Sequence, residues 1–231
     1  MKAILLAAGL GTRLRPITNT VPKCLVPIDG KPLLQIWLER LTLAGIGPFL
    51  INTHYLAEQV AAFIEAGPFF DQITLIHEPT LLGTAGTLVA NLDFFKEEDG
   101  FLIHADNYCL ADMGKFIQAH EERPTECLMT MMTFRTNDPT SCGVLELDDR
   151  GVVLGFHEKE PEPPGNLANS AIYILSKELI QQFKSEFSNS LDFSTDVIPR
   201  LINKIYTYQT HETFVDIGSI ASYENLKNNM A

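Results

Sequence analysis

The chain has 231 residues, 45% of them apolar and 20% charged, with a mean hydropathy near zero (+0.05). That describes a globular chain long enough for one α/β domain or two small ones, and argues against disorder. Seventeen basic and 29 acidic side chains leave a net charge of −12, which argues against a nucleic-acid or anionic-membrane partner, because phosphate contacts need clustered Lys and Arg. Four scattered cysteines, Cys24, Cys109, Cys127 and Cys142, form no CxxC pair. Neither a disulfide framework nor a zinc site is expected, and a reducing cytoplasm is the simplest compartment. No apolar run reaches the ~18–20 residues of a bilayer span. The apolar start, Ala3–Leu10, is short and runs into Gly11-Thr12-Arg13 without a small-residue cleavage site, so it reads as strand and loop and not as a secretory signal.

In chain order, apolar runs of strand length alternate with helical patterns. Ala3–Ala7 reads as a buried strand. Pro32 suits a first helical position, and Leu33, Leu34, Trp37, Leu38 and Leu41 recur at helical spacing up to Gly45. Strands at Phe49–Asn52, Ile73–Ile76 and Phe101–His104 alternate with helices at Leu56–Ile64 and Thr84–Leu92, the latter with Thr84 as a candidate cap. Asp112 opens a helix through His120. This order predicts an α/β fold with a mostly parallel, Rossmann-like sheet and helices on both faces. Beyond residue 125 the pattern loosens: Leu128–Phe134, Val144–Leu147, Val152–Phe156 and Ala171–Leu175 read as strands, and Ser194–Ile202 and Ile220–Lys227 as helices. Glu160–Gly165 is a stiff acidic loop, and there is no internal repeat. We expect one domain over 1–231, its front part (1–125) mainly nucleotide-sized and its remainder (126–231) a smaller second lobe.

The most informative segment is Leu6-Ala7-Ala8-Gly9-Leu10-Gly11-Thr12-Arg13-Leu14-Arg15-Pro16, continuing to Pro22-Lys23-Cys24-Leu25-Val26-Pro27. Glycines directly after a first strand let the backbone approach a ligand and aim N–H groups at anionic oxygens. Residues 1–28 hold Lys2, Arg13, Arg15 and Lys23 and no acid. A basic turn in an acidic chain suggests a polyanion site at the carboxyl edge of a parallel sheet. GxGxxG fails at Leu14, and GxxxxGK[ST] is absent. The six histidines never take HxxxH or HExxH spacing, and there is no GxSxG elbow.

Leu6–Pro27 resembles the signature of the sugar-1-phosphate nucleotidyltransferases, GxGTRLxPxT followed by PKxLxP, in the short form without a C-terminal β-helix. The resemblance implies transfer of a nucleotidyl group from a nucleoside triphosphate to a sugar 1-phosphate with release of pyrophosphate and with Mg²⁺. It implies that Gly9, Gly11, Thr12 and Arg13 hold the triphosphate together with Ala7 and Ala8, and that Lys23, with Arg13, contacts phosphate at the reacting centre. Asp106 and Asp216 each end a strand. Alone, either would read as a turn or cap residue; the resemblance makes them the metal carboxylates. Leu82–Thr87 resembles the loop that cradles base and ribose, which points to Gly83, Thr84, Ala85 and Gly86, although small residues for close packing would look the same.

On the sugar side, Glu158-Lys159 resembles a pair that binds sugar hydroxyls and the sugar's phosphate. Adjacent strand residues face opposite ways, so both serve only if the strand ends there. Asn169-Ser170-Ala171-Ile172-Tyr173 and Ser141-Cys142-Gly143-Val144 resemble further elements, which adds Asn169 and Gly143 to the sugar-phosphate set; Asn107, next to Asp106, is placed in the same set. His104-Ala105, Ser170-Ala171 and Cys142 depart from the family pattern. Asp192–Pro199 resembles a segment of guanylyl members acting on mannose- or heptose-type 1-phosphates, and reads equally as a helix start capped by Ser194; uridylyl or other nucleotidyl transfer to another sugar 1-phosphate and a silent nucleotide-sugar-binding regulatory relative are the alternatives. The expected partners are a nucleoside triphosphate and a sugar 1-phosphate, with no nucleic acid or membrane, and a homo-oligomer is left open.

Overall fold

The computed structural model describes residues 1–230. Strand β1 (Lys2–Leu6) leads into short 3-10 turns at Thr12–Leu14, Ile17–Asn19 and Lys23–Leu25, then a small hairpin of β2 (Pro27–Ile28) and β3 (Lys31–Pro32). There follow α1 (Leu33–Leu43), β4 (Phe49–Thr53), α2 (Ala57–Glu65), β5 (Ile73–His77), α3 (Thr84–Ala90), β6 (Gly100–His104), β7 (Asn107–Cys109), α4 (Met113–Glu121) and β8 (Met129–Arg135). The chain continues through β9 (Gly143–Leu147), β10 (Val153–Glu158), β11 (Leu167–Leu175), α5 (Lys177–Glu186), β12 (Ile205–Gln209), β13 (Phe214–Asp216) and α6 (Ile220–Met230). The α/β class read from the sequence is borne out. No helix among the described residues is long and apolar enough to cross a membrane.

Contacts divide the chain into two compact units, one of residues 1–81, 103–110 and 213–231, the other of 82–102 and 111–212. In the first, β1 pairs with β4 and β4 with β5, all parallel, in a register that sets Leu6 beside Asn52 and Thr53 beside His77. Every residue of β4 is buried, as expected of a parallel strand covered on both faces. Helix α1 buries Leu33, Leu34, Trp37, Leu38 and Leu41, the stripe the spacing predicts. In the second unit, β8 lies between antiparallel β11 and parallel β12, and β9 pairs antiparallel with both β11 and β10. Its core is aromatic: the Tyr173 and Phe193 rings are 4.7 Å apart, and those of Phe183 and Phe187 4.8 Å apart.

Several local expectations are corrected. Pro32 precedes α1 with extended backbone (ψ 136°) and does not open it. Thr84 is the first residue of α3 and caps nothing there; its hydroxyl oxygen accepts from the Phe193 amide at 2.7 Å. Ser194–Ile202 is no single α-helix but a wide π turn, Phe193–Val197, followed by a 3-10 turn, Ile198–Leu201. Pro199 lacks the N–H that a regular ladder would use. The cap is Asp192, which accepts from the amides of Ser194 (2.9 Å) and Thr195 (3.0 Å), and not Ser194. Asp112 does cap α4, accepting from the Lys115 amide at 3.1 Å.

Candidate active site

The basic turn is pinned at its root by buried polar groups. The Ala7 amide donates to Asn52 Oδ1 at 2.8 Å, and Asn52 Nδ2 donates to Glu78 Oε1 at 2.9 Å. Asn52 and Glu78 are both buried, and such pairs are stable when hydrogen-bonded. Ala7 and Ala8 are buried and Gly9 and Leu10 exposed; the amides of Gly9 and Leu10 have no intramolecular acceptor among the described residues. Gly11 is left-handed (φ +61°), and a Cβ there would lie 2.9 Å from Thr18 Cγ2. The buried Thr18 hydroxyl donates to the Gly11 carbonyl at 2.7 Å, which fixes the turn from below. Thr12 and Arg13 are exposed beyond it.

Lys23 gathers the charged groups. It is 8% exposed, and Nζ donates to Asp106 Oδ2 at 2.7 Å and lies 3.8 Å from Asp216 Oδ1. Asp106 follows β6, and Asp216 ends β13, which pairs antiparallel with β7 so that Asp216 is opposite Asn107. Asn107 is itself buried, and its carbonyl accepts from the Trp37 indole at 2.8 Å. Arg13 converges on the same place: a Cβ built on Gly218 would meet Asp216 Oδ2 at 2.9 Å and an Arg13 guanidinium nitrogen at 3.1 Å. Burial acts to raise the Asp106 carboxyl, but the charges of Lys23 and His104 and the Lys23 hydrogen bond outweigh it and hold that carboxyl below its ordinary value. Burial, with Asp106 adding, pushes the neighbouring Cys24 thiol up to about 12, so it is an inert packing group and not a nucleophile.

Two partly exposed carboxylates converging on one cation suit a hard divalent ion. Among the described residues no three His, Cys, Asp or Glu side chains cluster as a complete metal cage. One or two carboxylates completed by substrate phosphates is the usual arrangement for Mg²⁺, so the donor set fits.

In the second unit, β10 ends at Glu158, as the sugar-side reading requires, and Lys159 turns into the left-handed region (φ +53°). The Lys159 amide donates to the Cys142 carbonyl at 3.1 Å, and its ammonium is 3.1 Å from Glu158 Oε1. Gly143 lies opposite Glu158 in the β9–β10 register, and a Cβ there would fall 2.6 Å from Glu158 Oε2. Asn169 donates to the Tyr173 hydroxyl at 2.7 Å and accepts from the Ala171 amide at 2.8 Å, across a bulge in which Ala171 is left-handed (φ +58°). Burial raises the Tyr173 phenol well above its ordinary value; the Asn169 bond opposes this and the charges of Glu158 and Asp192 reinforce it.

Gly83–Gly86 is engaged elsewhere. The Ala85 amide donates to the Leu191 carbonyl at 3.0 Å and that of Gly86 at 3.4 Å, and a Cβ on Gly83 would lie 2.3 Å from the same oxygen. Its small residues are therefore used in packing. The structure thus groups Gly11, Arg13, Lys23, Asp106 and Asp216 in one unit, and Gly143, Glu158, Lys159 and Asn169 in the other. Sequence reasoning did not single out Asn52, Glu78 or Gly218 as site residues; Thr18 and Tyr173 stood inside the quoted motifs without being singled out.

A glycine turn, a buried lysine and paired carboxylates thus lie together in the first unit. The sequence model of the nucleotidyl transferase family matches residues 2–231, and the chain belongs to that family. It is 31% identical to a UTP–glucose-1-phosphate uridylyltransferase of Synechocystis, covering 96% of this chain and 61% of that protein. It is 29% identical to a putative mannose-1-phosphate guanyltransferase of Sulfolobus acidocaldarius, with the same coverages of 96% and 61%. The chain thus spans about three fifths of the length of these curated relatives. Among solved structures, HddC from Yersinia pseudotuberculosis in complex with GMP-PN superposes with a TM-score of 0.82 at 26% identity, over 100% of this chain and 99% of that one.

Proposed function

We propose that the chain transfers a nucleotidyl group from a nucleoside triphosphate to a sugar 1-phosphate, releasing pyrophosphate, and that its preferred reaction is guanylyl transfer to a mannose- or heptose-type 1-phosphate. The observation that carries this reading is Lys23 held between Asp106 and Asp216 with Arg13 beside them. Residues 1–125 then serve mainly the nucleotide, and 126–231 mainly the sugar, apart from Asp216.

The chemistry is a displacement at the α-phosphorus. A phosphate oxygen of the sugar 1-phosphate forms the new P–O bond, the α–β bridging bond breaks, and pyrophosphate leaves with its electron pair. No protein nucleophile is needed, so the side chains position and neutralise. Gly9, Gly11 and Thr12 present backbone around the triphosphate tail. Arg13 offers a planar fork of donors suited to phosphate oxygens. Lys23 has three N–H donors; Asp106 takes one, and Asp216 at 3.8 Å is an ion pair beyond hydrogen-bond reach, so two are left for phosphoryl oxygens. Asp106 and Asp216 would hold Mg²⁺, which when bound offsets the charge on the reacting phosphates. Ala7 and Ala8 complete the triphosphate set; Gly83–Gly86, packed on Leu191, would offer base and ribose a small-residue surface and not free amides. Glu158 accepts hydrogen bonds from sugar hydroxyls, Lys159 pairs with the sugar's phosphate, and Asn107, Gly143 and Asn169 shape that side. A cytoplasmic setting suits these substrates.

Guanylyl transfer is favoured by the likeness to the Sulfolobus protein and by GMP-PN in the HddC structure. The likeness to a uridylyltransferase supports the second reading. Retention of Lys23 and both carboxylates disfavours a silent binding module, which has no use for a metal pair. The test is a screen of four triphosphates against a panel of sugar 1-phosphates with Mg²⁺, read as pyrophosphate release. GTP with a manno-configured 1-phosphate should give the highest kcat/KM, and no release above blank with any pair would overturn the assignment.

A further inference from the structure

His157 stands one residue before the Glu158-Lys159 pair, and its ring is held from two directions. Nε2 lies 2.6 Å from Glu146 Oε1 on the neighbouring strand β9, and Nδ1 lies 3.1 Å from Glu160 Oε2, in the turn just past β10. An ionised carboxylate only accepts hydrogen bonds, and a neutral imidazole has one N–H. Both bonds can be donated together only by the imidazolium. Gly155 makes room for this: a Cβ there would lie 3.1 Å from Glu146 Oε1 and 3.3 Å from His157 Nε2.

The two bonds bracket Lys159. Its left-handed backbone (φ +53°) disfavours a residue with a Cβ by roughly 1 kcal/mol, so outside contacts must hold it. The amide bond to Cys142 supplies one hold, and the tie from His157 to Glu160 supplies the other, across the residue.

We propose that His157 is a positioning residue: its protonated ring, bonded to Glu146 and Glu160, fixes the turn that carries Glu158 and Lys159, so that affinity for the sugar 1-phosphate weakens as the ring loses its proton. This rests on reading Glu158 and Lys159 as the sugar-phosphate groups. Glu146 from β9 and Glu160 from the turn are the charged groups that shift the ring; the Glu146 bond raises its pKa most, partial burial opposes, and Glu160 adds to the rise. A raised His pKa means the tie is complete below the ordinary 6.5 and is lost as pH climbs through the folded value.

Steady-state kinetics from about pH 6.5 to about pH 9 test this, a range in which a phosphate monoester with a second pKa of about 6 is mostly dianionic. In the native protein, KM for the sugar 1-phosphate should rise by up to about fivefold, the upper end of what an exposed ion pair contributes, with kcat and the triphosphate KM nearly constant. His157→Gln should show the high KM at both ends, and His157→Arg, always charged, the low one. By NMR, the Lys159 amide shift should titrate with the His157 ring in the native protein and not in His157→Gln. A native-like KM profile in His157→Gln, or a Lys159 amide that ignores the ring, overturns the proposal. Absence of turnover with every substrate pair overturns the transferase reading instead, and the Lys159 titration still decides whether the tie exists.

Discussion

Two glycine-bearing turns lead into helical segments in this chain, and they use the missing side chain in opposite ways. At Gly9–Gly11 the turn is exposed at its tip: nothing lies within 4 Å of a Cβ on Gly9, and only Gly11 is constrained, by Thr18 beneath it. At Gly83–Gly86 the backbone is covered, with the Leu191 carbonyl taking two amides and approaching within 2.3 Å of where a Gly83 Cβ would sit. A run of small residues before a helix is therefore two different objects. One leaves amides available to an anion; the other satisfies them internally. Only charge tells them apart beforehand: Arg13 and Lys23 attend the first turn, and no cation occurs in Leu81–Leu92.

The largest effect should separate the turns by chemistry. Lys23→Ala should lower kcat by about 10²–10³, as loss of a group that stabilises the transition state does, while the protein stays folded; single-turnover pyrophosphate release checks this. Native-like turnover in that variant would remove the first turn's claim to the reacting centre. Next come the glycines themselves. Gly83→Ala should destabilise by about 2–4 kcal/mol, because the new methyl meets backbone that cannot yield, whereas Gly9→Ala should stay within about 0.5 kcal/mol in denaturant unfolding. Equal losses at both positions would mean that the two turns use their glycines alike.

A smaller effect lies in the second unit. His120 is fully buried, with Nδ1 2.8 Å from Thr130 Oγ1 and Nε2 3.3 Å from Asp99 Oδ2. Burial lowers its pKa, while the His120 bond lowers that of Asp99. Both folded values are depressed, so each contribution is present above the unfolded pKa and lost as pH falls through the folded one. Thermal stability should therefore decline as pH falls below about 6.5, the ordinary His value, and the decline should flatten in His120→Gln. Smallest is Ala171→Gly, which relieves a left-handed alanine and should stabilise by at most about 1 kcal/mol. A loss of stability there would mean the methyl contributes more through packing than it costs in backbone strain.

Much of the fold up to about residue 125 was legible because its strands are continuous apolar runs and α1 repeats Leu, Trp and Leu at helical spacing. The second unit was harder. Helix α5 went unrecognised although Ser176 caps it at the Leu179 amide, 3.2 Å away, and Leu179, Ile180 and Phe183 form its buried stripe. The three-residue strand β7 is too short for any period to register. The site was legible where a long motif spells it out, at Gly11, Arg13 and Lys23. Asn52 and Glu78 were not, since a buried Asn bonded to a buried Glu has no sequence pattern and exists only through the strand pairing that brings residues 52 and 78 together.

By itself the sequence determined the alternation of strands and helices, the acid-free basic turn and the residue types able to meet phosphate and a hard cation, because these follow from local periodicity and from the chemistry of individual side chains. Only the tertiary structure decided that Lys23 is shared by Asp106 and Asp216, residues more than a hundred positions apart, and that Gly83 serves Leu191. Those outcomes depend on which backbone segments pack together, and no spacing along the chain carries that information.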